Sequence, residues 1–229
     1  MNNEILIGNP DLEQTDIDNF DLRWEWFRRP GEVLAASVFY KKLESPIEKT
    51  IRTSNGQVEY QNRDEAKLFG FELEARTQLD LLDDNLKYFN VGANFAWIES
   101  EVDTSQFEYI RSSKGKTSRE LQGQSPYVIN ADITFSHPGL GTTASLFYNL
   151  FGKRLTEVSE VSPNVYEQPV NTLDFIVSQK LGKHTTLKFA AKNLLNPEYK
   201  KTIEFQGDEY IYSSHRVGRT FSLSLSYDF

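Results

Sequence analysis

The chain has 229 residues, of which 38% are hydrophobic and 25% charged, and its formal net charge at pH 7 is −8. No run approaches the roughly 18 apolar residues of a transmembrane helix. The acidic balance argues against a nucleic-acid surface, and the absence of cysteine excludes disulfides and thiolate sites. A membrane-spanning β-strand is still possible, because it needs only about 10 residues and every second one can be polar.

Nine segments alternate apolar and polar residues with a period of two, which predicts nine β-strands. The third is the clearest, with Phe71 and Leu73 on one face and Glu72 and Glu74 on the other. The second is ambiguous, because both of its faces are nearly apolar. In chain order, the predicted strands cover residues 19–27, 33–42, 69–79, 88–97, 127–135, 142–151, 172–178, 186–192 and 219–229.

The connections between these strands alternate in length. Residues 28–32, 81–86, 136–141 and 181–184 form short turns with Gly, Pro, Asn or Asp chemistry. Residues 43–68, 98–125, 152–170 and 194–218 form long polar loops. Outer-membrane β-barrels have short periplasmic turns and longer external loops, so this asymmetry favours a membrane barrel and places Phe229 on the periplasmic side.

A soluble antiparallel barrel or sandwich is the alternative, because it alternates in the same way around an apolar core. The direction of five side chains distinguishes the two architectures, since a soluble fold needs them together in one closed core. They are Trp24, Trp26, Phe71, Phe95 and Phe221. Closure of a small barrel would require an even number of strands, and residues 4–8 or 57–61 are the candidates for a tenth strand.

Six motifs occur in a characteristic order along nearly the whole chain. They are residues 9–12 (Asn-Pro-Asp-Leu) with strand 19–27, residues 35–42 with 46–47, residues 70–75 (Gly-Phe-Glu-Leu-Glu-Ala), residues 121–130, residues 192–199 (Lys-Asn-Leu-Leu-Asn-Pro-Glu-Tyr), and residues 218–221 with the terminal Phe229. In this order they resemble the C-terminal half of TonB-dependent outer-membrane receptors.

The resemblance implies an all-β, antiparallel transmembrane barrel of about 22 strands whose lumen is closed by a plug, with residues 1–229 forming its C-terminal portion. It implies location in the outer membrane of a Gram-negative bacterium and uptake of a scarce ligand such as a ferric siderophore, cobalamin or a saccharide. The implied partners are outer-membrane lipid, the plug, the TonB system, and the assembly machinery that reads the terminal Phe229. No signal peptide is expected here, because residues 1–8 lack a basic region and an apolar run.

Candidate functional residues are few, and none predicts catalysis, a cofactor or a metal site, so we expect no enzyme. The three histidines lack metal-ligand spacing: His137 and His184 fall in predicted turns, and His215 lies near the end of the last long loop, where it could contact a ligand. Glu72, Glu74 and Arg76 share a strand face, which suits a charged lumen in contact with a plug better than acid–base chemistry. Aromatic residues of the long loops are candidates for ligand contact: Phe107, Tyr109, Tyr166, Tyr199, Phe205, Tyr210 and Tyr212.

Overall fold

The computed structural model describes residues 5–104, 108 and 117–229, and these are mostly β-strand. The strands are β1 (Ile5–Ile7), β2 (Asp16–Trp26), β3 (Val33–Glu44), β4 (Ile47–Ile51), β5 (Gln57–Asn62), β6 (Glu65–Gln78), β7 (Phe89–Asp103), β8 (Ser118–Arg119), β9 (Tyr127–His137), β10 (Thr142–Phe151), β11 (Arg154–Ser159), β12 (Val165–Glu167), β13 (Val170–Leu181), β14 (Thr185–Lys192), β15 (Tyr199–Phe205), β16 (Asp208–His215) and β17 (Thr220–Tyr227). Two 3-10 turns, Leu79–Leu81 and Asp84–Leu86, connect β6 to β7. No helix among the described residues has the length and apolar character needed to cross a membrane.

The long strands form one antiparallel sheet, here called the main sheet, in the order β2-β3-β6-β7-β9-β10-β13-β14-β17. These are the nine strands that the alternation predicts, and the four short turns join neighbours where expected. The short strand β8 pairs only with the end of β7. Within the described residues, β2 and β17 are the outermost strands and do not pair with each other, so the main sheet is open.

The strand register gives the main sheet one apolar and one polar face. One row across the sheet aligns Trp24, Ala36, Leu73, Phe95 and Ile129. The next row aligns Glu25, Ala35, Glu74, Asn94 and Asn130. Because successive side chains point to opposite faces of a strand, these rows define the apolar face and the polar face.

The five diagnostic side chains do not form a closed core. Trp24 is 55% exposed, Trp26 52% and Phe221 61%, while Phe71 and Phe95 are partly exposed. Phe71 and Phe95 contact each other across strands on the apolar face, with ring centroids 5.7 Å apart. The soluble alternative, which requires all five inside one core, does not describe this chain.

The orientation of the ambiguous second predicted strand is resolved by its neighbours. In β3, Val38 pairs with Leu22 and Phe71 on the apolar face. Phe39 lies on the polar face, where its ring covers Gly70. An aromatic side chain on the polar face therefore packs against a strand that offers a glycine, which explains why both faces of this segment are apolar.

The long connections were predicted as polar loops in which residues 57–61 were the one strand candidate, but they contain several further strands. They carry a second sheet, here called the loop sheet, in the order β1-β5-β4-β11-β12-β15-β16. The candidate tenth strands at residues 4–8 and 57–61 also belong here, because β1 pairs with β5 rather than with the main sheet. Some breaks between the two sheets lie at left-handed residues, including Ser45 (φ 51°) between β3 and β4 and Asn193 (φ 57°) after β14.

The short-turn end is held by a cluster of charges between the first two turns, here called the turn cluster. The Arg29 guanidinium donates to Asp80 at 2.6 and 2.7 Å and to Glu32 at 2.6 and 3.0 Å. Glu32 also accepts from the backbone N–H of Gln78 at 3.0 Å and from Thr77 at 3.1 Å. The hydrogen bonds from Arg29, Gln78 and Thr77 lower the pKa of Glu32 to about 2.

Candidate functional site

The polar face of the main sheet carries a hydrogen-bonded amide row. Asn149 donates to Asn130 at 2.6 Å, and Asn130 donates to Asn94 at 2.7 Å, so three neighbouring strands are linked by side chains. Arg23 continues the polar surface by donating to Glu74 at 2.8 Å. A cavity of about 190 Å³ lies over this surface. The face therefore offers amide and carboxylate groups to whatever lies against it.

A group of buried charges, here called the ion network, connects the loop sheet to β8 and consists of Glu48, Arg63, Glu108 and Arg119. Their side chains are 1%, 7%, 5% and 5% exposed. Glu48 lies in β4, Arg63 directly follows β5, and Arg119 lies in β8. Charged residues are almost never fully buried unless they are paired, so the contacts of these four side chains decide whether the loops can form this sheet.

Arg119 is the centre of the ion network. It donates to the two carboxylate oxygens of Glu48 at 2.9 and 2.6 Å and, through Nε, to Glu108 at 2.7 Å. Arg63 donates to Glu48 at 3.1 Å and to Thr50 at 3.0 Å. Bidentate contacts of this kind are the strongest and most directional ion pairs in proteins.

The ion network keeps Glu48 ionised despite its burial. Burial alone would raise the pKa of the Glu48 carboxyl, but the hydrogen bonds and charge of Arg119 act in the opposite direction. The backbone N–H of Gln122 and the charge of Arg63 add to that effect, and the net result is a lowered pKa. The partner guanidinium of Arg119 has a raised pKa, because the two carboxylates outweigh its own desolvation.

Gln122 links the ion network to the next hairpin. Its backbone N–H donates to Glu48 at 3.1 Å, and its side-chain oxygen accepts from the backbone N–H of Lys49 at 2.9 Å. Its side-chain nitrogen donates to the backbone carbonyls of Lys49 at 2.9 Å and Thr156 at 3.0 Å. One side chain thus joins β4 to β11.

A second group of polar side chains lies on β11, β12 and the β15–β16 hairpin. The Lys153 ammonium is 2.7 Å from Glu204 and 4.7 Å from the ring centroid of Tyr166. Burial and the nearby Glu120 carboxylate raise the pKa of Tyr166. The tyrosine is therefore a neutral hydrogen-bonding group at the base of this hairpin.

His184 lies in a short turn as predicted, whereas His137 is the last residue of β9. His137 accepts from the backbone N–H of Leu140 in a short turn, at 3.1 Å, and His184 lies 3.0 Å from the carbonyl oxygen of Asp228. His215, at the end of β16, stacks on Tyr199 with ring centroids 5.5 Å apart. Among the described residues, no group of His, Cys, Asp and Glu could hold a metal ion.

The remaining candidates spread over the two sheets. Glu72 and Glu74 lie on the polar face, and Arg76 shares that face by register. Phe205, Tyr210 and Tyr212 are 52%, 50% and 43% exposed on the last hairpin, whereas Tyr166 is partly buried. Phe107 and Tyr109 lie outside the described residues. The ion network was not predicted, and its residues have no local pattern that distinguishes them from solvated loop charges.

The main sheet is open and antiparallel, with one apolar and one polar face. Short turns join its strands at one end, and the loop sheet lies at the other end. These features define the wall of a transmembrane β-barrel. The family model for TonB dependent receptor-like β-barrels matches residues 1–194. The chain therefore belongs to this family. None of the curated protein sequences matches it.

Solved structures of uptake receptors share this architecture. The ferric yersiniabactin uptake receptor FyuA from Yersinia pestis superposes with a TM-score of 0.66 at 16% identity, over 94% of this chain and 30% of that one. The ferric citrate transporter FecA gives 0.67 at 13% identity, over 93% and 31%, and the copper transporter OprC gives 0.66 at 14%, over 96% and 32%. The chain thus spans about a third of the length of these proteins, and the likeness establishes the fold.

Proposed function

We propose that the chain is the C-terminal portion of a TonB-dependent receptor that imports a scarce ligand across the outer membrane of a Gram-negative bacterium. The observation that carries the proposal is the two-faced main sheet capped by an ordered loop sheet. An apolar face suits contact with lipid, and a polar face suits a water-filled or plugged lumen. Membership of the receptor family supports the same function.

The ligand we propose is a metal chelate such as a ferric siderophore or cobalamin, with a saccharide as the alternative. The structural neighbours favour a metal-containing ligand, because they are a ferric yersiniabactin uptake receptor, a ferric citrate transporter and a copper transporter. In this proposal the loop sheet contributes to ligand capture, and the polar face of the main sheet contacts the plug. The TonB system supplies the energy, the terminal Phe229 serves the assembly machinery, and the chain catalyses no reaction.

Uptake of defined ligands by the native host tests the proposal. Cells that carry or lack the gene would be supplied with radiolabelled ferric citrate, ferric enterobactin or cyanocobalamin, with and without a protonophore. We expect gene-dependent and energy-dependent accumulation of at least one ligand, and recovery of the chain with outer-membrane proteins. Recovery of the chain as a compact, detergent-free soluble monomer would overturn the proposal, as would equal accumulation of all three ligands without the gene.

A further inference from the structure

We propose that Arg119 is a positioning residue that locks the loop sheet into one rigid body, so that the long loops of this chain move together rather than separately. The inference concerns the mechanics of the loop layer and does not depend on which ligand the receptor carries. It rests on the contacts at one seam within the loop sheet.

The seam lies between β4 and β11. These strands run parallel and pair through only two residue pairs, Thr50 with Val158 and Ile51 with Ser159. One further backbone hydrogen bond joins Glu160 to Ile51 at 3.0 Å. On one side of the seam lie β1, β5 and β4, and on the other lie β11, β12, β15 and β16. With two residue pairs, this junction has the fewest of any described strand pairing in the loop sheet.

The ion network reinforces the β4 side of the seam. The Glu48 carboxylate accepts from the guanidinium groups of Arg63 and Arg119 and from the backbone N–H of Gln122. Three segments therefore meet at this carboxylate: β4, the residue that follows β5, and residues 119–122. If any one segment moved away, a buried charge would lose its partner, which is strongly unfavourable. The segments therefore either stay together or separate in one concerted step.

Two hydrogen bonds to backbone carbonyls of β11 carry this constraint across the seam. The Gln122 side chain donates to Thr156 in β11 at 3.0 Å, and the backbone N–H of Gly123 donates to Leu155 at 2.7 Å. The segment that Arg119 anchors is thus bonded to both sides of the junction. From β11 the sheet continues through β12 to the β15–β16 hairpin, so the constraint reaches the last long loop.

Hydrogen–deuterium exchange of the full chain in lipid nanodiscs tests the proposal. For Arg119→Met we expect exchange at least 10-fold faster for the amides of both β4 and β11, with the β9–β10 amides unchanged. The matched control is Arg52→Met. Arg52 also spans the seam, 3.3 Å from Glu160, but its side chain is 41% exposed, and exposed ion pairs contribute little.

A second variant covers the case in which Arg119→Met does not fold. Gln122→Ala leaves the ion network paired but removes the contacts to Lys49 and Thr156. We expect it to accelerate exchange in β4 and β11 together, whereas Gln124→Ala, whose side chain donates to the neighbouring carbonyl of Ser125, should not. The proposal is overturned if Gln122→Ala exchanges no faster than Gln124→Ala, or if only one side of the seam responds.

Discussion

Gly70 shows how a single residue fixes the packing of the polar face. A Cβ at this position would lie 2.6 Å from the carbonyl oxygen of Trp97 and against the ring of Phe39. Both neighbours belong to strands that pair with β6. The glycine therefore lets the Phe39 ring lie flat on the sheet, and any side chain here must displace backbone or an aromatic ring.

We predict that Gly70→Ala lowers the free energy of unfolding by about 1–3 kcal/mol, the usual effect of overpacking. Urea unfolding in detergent micelles, followed by tryptophan fluorescence, would measure the change. Gly8→Ala is the matched control, because a Cβ at Gly8 meets nothing within 4 Å. Equal stability of the two variants would show that Phe39 and Trp97 can move aside freely.

The turn cluster makes the free energy of unfolding depend on pH. The pKa of Glu32 is about 2 in the folded chain, against an ordinary value of 4.5. Because the folded-state pKa is lowered, the stabilisation from Glu32 is complete above about pH 4.5 and is lost as the pH falls towards 2. The pKa of Asp80 is also lowered by the hydrogen bond from Arg29, so both carboxylates act in the same direction.

We predict that Glu32→Gln flattens the dependence of the unfolding midpoint on pH between about 4.5 and 2. The measurement is a series of urea unfolding curves across that range, with Asp64→Asn, a change at an exposed carboxylate, as the control. If the two variants follow the same curve as the unmodified chain, the turn cluster does not contribute to stability.

Residue-scale prediction from the sequence succeeded best where the chemistry is local. His184 was correctly assigned to a turn that contains Gly182, and His137, assigned to the turn of Pro138 and Gly139, ends the strand that leads into it. Glu48, Arg63 and Arg119 were missed for the opposite reason. Glu48 and Arg119 are 71 positions apart, and their burial depends on contacts that only the folded chain makes, so no local pattern marks them as buried.

At the scale of elements, the main-sheet strands were predictable because each presents apolar residues to one side over its length. Most loop-sheet strands were not, because they are short and polar residues occur on both of their faces. The exceptions are residues 4–8 and 57–61, which were strand candidates and form β1 and β5. In β4, Glu48 and Thr50 are the buried positions, while Ile47 is 44% exposed. In β4 the polar side chains are therefore buried and an apolar side chain is exposed, the reverse of an ordinary strand. The reason is that the buried side of β4 faces the ion network rather than an apolar core.

The two faces of β3 give a direct test of the strand orientation. We predict that Val38→Arg, on the apolar face, lowers stability in a bilayer by about 2–4 kcal/mol, because the charge would face hydrocarbon. Ser37→Arg adds the same charge on the polar face, beside Glu72, and should change stability little. Folding titrations in lipid vesicles would measure both, and a larger loss for Ser37→Arg would reverse the assigned faces.

At the scale of the whole molecule, the apolar face forms a continuous band across the main sheet. Along β6 the apolar residues run from Phe69 to Ala75, six residue steps that span about 20 Å at 3.3 Å per step. An apolar band of about 25 Å is typical of outer-membrane barrels. The three tryptophans lie on this face, Trp24 and Trp26 in β2 and Trp97 in β7.

We predict that lipids with brominated acyl chains quench the tryptophan fluorescence of the chain in vesicles, because heavy atoms quench at short range and all three indoles lie on the apolar face. Aqueous acrylamide should quench weakly by comparison. Efficient quenching by acrylamide, with none by the brominated lipid, would place the apolar face away from the bilayer.

The order of the main sheet has a consequence for assembly. Every long strand from β6 onwards pairs with the long strand nearest in sequence, so these hairpins close short segments of chain. The loop sheet instead joins Thr50 to Val158, 108 positions apart. Contacts of low sequence separation form fastest, because less chain entropy is lost in closing them. The main sheet should therefore form one hairpin at a time, and the loop sheet should form only after the main-sheet strands have paired.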